Sequence, residues 1–303
     1  MHFMMTIDVE CFSIPLNRCD NDTGREVYEA GLPRLLGLLA RHDVQGTFYF
    51  TGKMAEMFPE AIELVMGYGH EIGCHGYDHS PEKAFDLLSY DEQLKELRKA
   101  KTAIEGVAGR VESFRAPMLR INEDTVRALE EAGFKTDSSV ASQRFDGPLT
   151  FGAKRKLKWL YAPRKPYIIS YDSVVKSGSS NILEIPISAA IFPFIGTTMR
   201  ISPFITKILQ MQKYLYHESK KTGKPVVFLF HPNECLDIGN EIATTRRTSN
   251  PVEYLFADVI RHKLKLKNLG QTSLKLLDEV VTSAKEFGFE FVSAGEYKRI
   301  FDN

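Results

Sequence analysis

Residues 45–74 read QGTFYFTGKMAEMFPEAIELVMGYGHEIGC, and this one stretch decides the fold class. Gln45 to Thr51 is a short β-branched and aromatic run suited to a buried strand. Lys53 to Tyr68 follows as a helix that closes on Gly69, a residue suited to the left-handed terminating position. Glu71 to Cys74 then starts another strand. Two strands joined by a helix cannot be neighbours through a tight turn, so the unit predicts parallel pairing by crossover.

Working outward, the same alternation recurs. Phe3 to Val9 is a strand, and Glu26 to Arg41 follows with Leu32, Leu35, Leu36 and Leu39 at helical spacing. Ser89 opens a long helix with Glu92 three residues on, a capping-box arrangement. Val111 to Phe114, Ile182 to Ile187, Val226 to Phe230 and Phe289 to Val292 complete the strands. The expectation is an α/β fold, a distorted (β/α) barrel of about seven parallel strands with its active site at their C-terminal ends. One catalytic domain over 1–303 is expected, with insertions near 144–180, basic and aromatic, and 236–268, polar and charged.

Composition narrows the partners. Lysine plus arginine and aspartate plus glutamate number 39 each among 303 residues. No overall field draws the chain to nucleic acid, and any charged partner must be recognised locally. The opening MHFMMTIDVE lacks the basic and apolar regions of a leader, and no apolar run reaches the ~20 residues of a spanning helix. A cytoplasmic location, with peripheral membrane contact left open, is the expectation. Cys11, Cys19, Cys74 and Cys235 lack paired spacing and predict no structural disulfide.

Chemistry collects at strand ends. TIDVE places Asp8 and Glu10 on one side of an extended chain, because side chains alternate faces. HGYDH brings His75 and His79 together if the segment is helical or tightly turned. A carboxylate and two imidazoles make an incomplete shell suited to a divalent ion, zinc first, with positions open to water and substrate. Val226 to Phe230 delivers His231, and the segment 113–117 delivers Arg115. Singly, each has an ordinary explanation as a cap, a solvated histidine pair or a surface ion pair. Their recurrence at successive strand ends of one chain is what favours a catalytic site.

These residues resemble the polysaccharide deacetylases of carbohydrate esterase family four, the NodB-homology family. TIDVE, HGYDH, RAPM, TDSS and FLFHP stand in the order of that family's motifs and span Thr6 to Pro232. The commoner family pattern has two adjacent aspartates, whereas Val9 stands in the adjacent place here and Glu10 is the substitute. The resemblance therefore implies Asp8 as base, and Glu10, His75 and His79 as ligands. It further implies that Arg115 holds Asp8, that the Met118 N–H receives the oxyanion, and that His231 is the acid with Asp137 orienting its ring. The implied reaction is metal-dependent removal of an N-acetyl group from an amino sugar. Glu184 is either a sugar contact or a structural residue, and Trp159 is a candidate sugar contact.

The alternatives are a deacetylase or deformylase of a lipid-linked amino sugar at the membrane surface, a non-catalytic glycan-binding module, and a hydrolase of cyclic amides. The lipid-linked alternative draws on Lys154, Arg155, Lys156, Lys158, Arg164 and Lys165 around Trp159 and Tyr161. It draws equally on the apolar residues Ile191, Phe192, Phe194, Ile195, Phe204, Ile205, Ile208 and Leu209. Cysteines near the site motifs suggest either redox control or small apolar packing.

Overall fold

The structure is a computed structural model that describes residues 1–144, 157–201, 205–237, 246 and 250–303; for 205–209, 253 and 257 it describes the backbone alone. We number the strands of the main sheet β1 (His2–Val9), β2 (Thr47–Phe50), β3 (Glu71–Cys74), β4 (Ser113–Phe114), β5 (Thr136–Asp137), β6 (Tyr167–Ser170), β7 (Ser173–Ser177), β8 (Leu183–Glu184), β9 (Val226–Phe230) and β10 (Glu290–Phe291). The order is β9-β1-β2-β3-β4-β5-β8-β6-β7, with β10 also on β1. All pairings are parallel except those of β6 with β8 and with β7. Ser188 N donates to Val227 O at 3.1 Å and Leu229 N to Phe194 O at 3.3 Å. The segment beyond β8 thus reaches β9 and curls the sheet towards closure.

The distorted α/β barrel is borne out, with eight parallel strands among the described residues rather than seven. The additional one, β5, is only two residues long, in a polar TDSS context that gives periodicity nothing to detect. The predicted helix over 53–68 is two helices, Gly52–Met57 and Pro59–Gly67. Pro59 is the cause, since the residue before proline is driven from helical angles, and Phe58 has φ −140° and ψ 66°. Gly69 takes φ +79°, the left-handed value expected of it, and Ser89 with Glu92 forms the expected capping box.

The fold places the site through β1. Its alternation sends Phe3, Met5, Ile7 and Val9 to one face, where Phe3 packs edge-on against Phe194, Tyr216 and Phe289. Thr6 and Asp8 take the other face, where Arg115 meets both.

Trp159 is a correction. It is 1% exposed and part of the core, so it has no face to offer a sugar. Trp159→Ala should therefore lower stability by about 3–5 kcal/mol in urea melts, the usual cost of emptying a large aromatic from a core. A change below about 1 kcal/mol would contradict its core role. Tyr161 is exposed, and Lys158 and Arg164 pair with Glu123 and Glu218. Lys154, Arg155, Lys156 and Phe204 lie outside the described residues, as do the side chains of Ile205, Ile208 and Leu209. Phe194 is buried, while Ile191 and Phe192 are exposed at a hairpin tip.

Candidate active site

Asp8 and Glu10 stand at the C-terminal end of β1, both buried. His75 directly follows β3, its N–H bonded to Phe50 O at 2.7 Å. The chain then turns tightly rather than helically at Gly76, which has φ +68° and whose missing side chain leaves room for Pro117. Gly52 N and Lys53 N, in the first turn of the helix Gly52–Met57, donate to Gly76 O and Tyr77 O. That turn brings His79 back over Glu10, with Nε2 3.1 Å from Glu10 Oε2.

The two imidazoles share a tautomer. His75 Nδ1 lies 2.8 Å from Arg115 O, and a carbonyl can only accept, so Nδ1 carries the proton and Nε2 a lone pair. Met118 N–H donates to His79 Nε2 at 3.2 Å, so that nitrogen too is unprotonated, its lone pair accepting this bond in the absence of an ion. Burial pulls both imidazoles below their ordinary pKa, His79 the further, with His75 and Lys265 adding to the effect there. Burial pushes the Glu10 carboxyl up to about 7, with Asp8 raising it further and His231 opposing.

One atom of each of Glu10, His75 and His79 lies within 4.8 Å of the others. Glu10 Oε2 is buried and makes no hydrogen bond among the described residues. Two neutral imidazoles and an unsatisfied carboxylate oxygen fit a divalent cation in composition, spacing and charge.

Asp8 is held differently. Arg115 is fully buried and donates from Nη1 to Asp8 Oδ1, from Nη2 to Thr6 Oγ1 and Ser138 Oγ, and from Nε to Ser138 O, each at 2.9 Å. Its guanidinium also lies 4.5 Å from the Tyr49 ring centroid. Burial pushes the Asp8 carboxyl up, but Arg115, with His75 and His231, outweighs that and holds it below the ordinary carboxylate range. Asp8 Oδ2 faces His75 Nε2 at 3.6 Å and His231 Nε2 at 4.0 Å.

His231 follows β9, and its partner corrects the sequence expectation. Nδ1–H donates to Glu234 Oε1 at 2.9 Å across the turn Pro232–Cys235, and Arg200 Nε holds the other Glu234 oxygen. Gly196 makes space for this carboxylate, since a side chain there would overlap it. Burial lowers the His231 imidazole, but the hydrogen bond and charge of Glu234 outweigh it and set it above its ordinary value. Asp137 does not orient His231. It sits in register with Phe114 and Glu184, accepts from Ser139 Oγ, and shares its environment with the Glu184 carboxyl. Glu184 is fully buried and accepts from Val140 N at 3.0 Å, so it supports the barrel interior rather than meeting a sugar. Burial, then the charge of Asp137, keep it protonated well above its ordinary range.

Met118 has φ +56° and Leu119 φ +54°, left-handed values strained for such residues. The turn aims the Met118 N–H at His79 from the pocket wall. The cavity above these groups has a volume of about 330 Å³ and is also lined by Phe12, Arg18, Arg144, Ile195, Arg261 and Lys265. None of those six was marked by strand-end reasoning, because they come from loops and from the expected insertions. All four cysteines are free, and burial raises the Cys11 and Cys74 thiols to about 11 and about 12, which favours packing over reactivity.

Comparison with known proteins finds likeness to polysaccharide deacetylases. Residues 21–136 match the family model for polysaccharide deacetylase. A peptidoglycan deacetylase of Helicobacter pylori is 30% identical over 118 residues, 39% of each chain, so the match spans about two fifths of that relative's length. A solved Mycobacterium smegmatis chain assigned to the polysaccharide deacetylases is 25% identical with TM-score 0.54, covering 77% of both chains. A family-four pseudoenzyme from Bacillus anthracis, 16% identical with TM-score 0.51, covers 98% of this chain and 65% of its own, and shows the fold alone. No described helix is long and apolar enough to cross a membrane.

Proposed function

We propose that the chain is a polysaccharide deacetylase that hydrolyses the N-acetyl amide of an amino sugar in a glycan or glycan precursor, a reading supported by the match of residues 21–136 to that family's model and by the peptidoglycan deacetylase relative. The observation that carries this reading is one pocket holding three kinds of group: a ligand trio, a carboxylate kept ionised and a carboxylate-oriented histidine. A non-catalytic module of the same fold would gain nothing from keeping all three.

Glu10, His75 and His79 would hold the divalent ion, which when bound supplies Lewis-acid polarisation of the acetyl carbonyl and a lowered pKa for water. Asp8, held ionised by Arg115, takes the proton from the attacking water. The Met118 N–H donates to His79 Nε2 in this structure; with that nitrogen serving as a ligand, the N–H would be released to donate to the developing oxyanion. His231 then gives the proton at Nε2 to the departing amine, while Glu234 keeps its Nδ1–H fixed and stabilises the imidazolium. Arg200 holds Glu234 in turn.

Acetate release from acetylated glucosamine oligomers, N-acetylmuramic acid sugars and lipid-linked amino sugars tests the reading, and no release from any of them with metal bound would end it. The exposed tip Ile191–Phe192 favours the lipid-linked substrate as a second reading. Arg144, bridged to Ile191, and Ile195 both line the pocket. Turnover confined to the lipid-linked member of the panel would select it.

A pH prediction follows from the Glu234 contact. The acid must be protonated, so activity should fall as pH rises through the elevated His231 pKa. Glu234→Gln removes the charge that elevates it, so the alkaline limb should move to lower pH and activity at pH 8 should drop more than at pH 6. An unshifted limb in kcat/KM would overturn Glu234 as the orienting group.

A further inference from the structure

Among the described residues that line the pocket two are acidic, Asp8 and Glu10, and both lie at the floor. The walls carry four cations: Arg18, Arg144, Arg261 and Lys265. Arg261 and Lys265 are four residues apart on one helix, Arg261–Lys265, and so share a face.

That helix is built into the site at both ends. Buried His262 reaches the carbonyls of Ile14 and Pro15 from Nε2, at 2.9 and 3.1 Å, which fixes the helix to the loop carrying Phe12 and Arg18. At the other end Arg200, which clamps Glu234, also donates from Nη1 to Lys265 O and Lys267 O. Asn268 Nδ2 donates back to Arg200 O at 2.7 Å. Arg200, which holds the carboxylate that orients His231, therefore also positions Lys265. Lys265 Nζ sits 4.9 Å from the Phe12 ring centroid, and that ring is 5.8 Å from the His79 ring. The Phe12 ring thus links the Lys265 ammonium to the rim of the ligand trio.

We propose that the amino sugar taken by this pocket carries an anionic group, a carboxylate or a phosphate, close to the acylated nitrogen, and that Lys265 and Arg261 bind it. The inference rests on the deacetylase reading and deepens it by naming the substrate class. A neutral acetylated oligomer offers these cations only hydroxyls. An anion offers charge-assisted bonds, which discriminate more strongly inside a recessed site than on an open surface. Phe12 supplies a flat apolar wall against which the sugar face lies between the two.

The test compares acetate release by the metal-loaded full chain from N-acetylglucosamine, N-acetylmuramic acid and N-acetylglucosamine 1-phosphate. One anionic sugar should exceed the neutral one at least about tenfold in kcat/KM, the scale of a hydrogen bond to a charged group. Which of the two does so identifies carboxylate or phosphate as the source. The ratio should fall towards one in Lys265→Gln with Arg261→Gln, and below one in Lys265→Glu. A wild-type ratio near one, or variants that slow all three sugars equally, would overturn the inference and leave the deacetylase reading standing. If no sugar releases acetate, the deacetylase reading fails and calorimetry still decides this one. Tighter binding of glucosamine 1-phosphate or muramic acid than of glucosamine, lost in the double variant, supports it; equal binding overturns it.

Discussion

Asp8→Asn is expected to lower deacetylation by about 10²–10⁴-fold, the usual contribution of a positioned general base, while leaving bound metal unchanged. The side chain is isosteric, and an amide oxygen can still accept from Arg115 Nη1, so geometry is largely kept. What disappears is the charge. Among the described residues Arg115 donates to no other carboxylate, and its remaining partners are the hydroxyls of Thr6 and Ser138 and one carbonyl. Stability should fall too, towards the lower end of the roughly 3–5 kcal/mol seen when a buried pair loses one partner. The pH dependence of that contribution has a definite sign. The Asp8 pKa is depressed in the folded state, so its stabilisation is full above the ordinary aspartate range and disappears as pH falls through the lowered value. Turnover near the wild-type rate in Asp8→Asn, with metal bound, would remove Asp8 from the mechanism.

Much of this site was legible because strand periodicity fixes direction as well as existence. TIDVE puts Asp8 and Glu10 on one face whatever the rest of the barrel does, and HGYDH needed only a turn, supplied by Gly76, to return His79 to Glu10. The orienting carboxylate was legible in position but not in role. Glu234 follows His231 by three residues, yet whether its side chain returns to Nδ1 depends on the turn at Pro232 and on Arg200. Neither has a periodic signature. Asp137 attracted the role through family resemblance, but the parallel register of β5 with β4 and β8 commits it to Ser139 and Glu184 instead. Trp159 failed for a related reason. A tryptophan among lysines reads as a surface aromatic, and only the packing of its helical turn against the sheet makes it core. Lys265 and Arg261 were hidden by sequence distance, since they reach the pocket from a segment that reads as an insertion beyond the last motif.

Metal removal should have the other large effect. His75→Ala and His79→Ala each delete one of three ligands, and metal content by elemental analysis should fall far below one equivalent, with activity falling alongside. His75→Ala should be the more damaging to the fold, because its Nδ1–H also satisfies the Arg115 carbonyl that begins the RAPM turn. The metal-free protein carries a further signature at Glu10. Its folded pKa is raised to about 7 from an ordinary value near 4.5, so the folded state binds the extra proton and its stability declines as pH rises between those values. Above pH 7 the metal-free protein bears the full cost of an unpaired buried carboxylate, which a bound cation would offset. Adding a divalent ion should therefore raise Tm more at pH 8 than at pH 5.5, where protons compete for Glu10 and both imidazoles. The increment should vanish in His79→Ala. Equal metal content in wild type and both histidine variants, together with a Tm increment independent of pH, would mean that the cation sits elsewhere and that Glu10, His75 and His79 do not bind it.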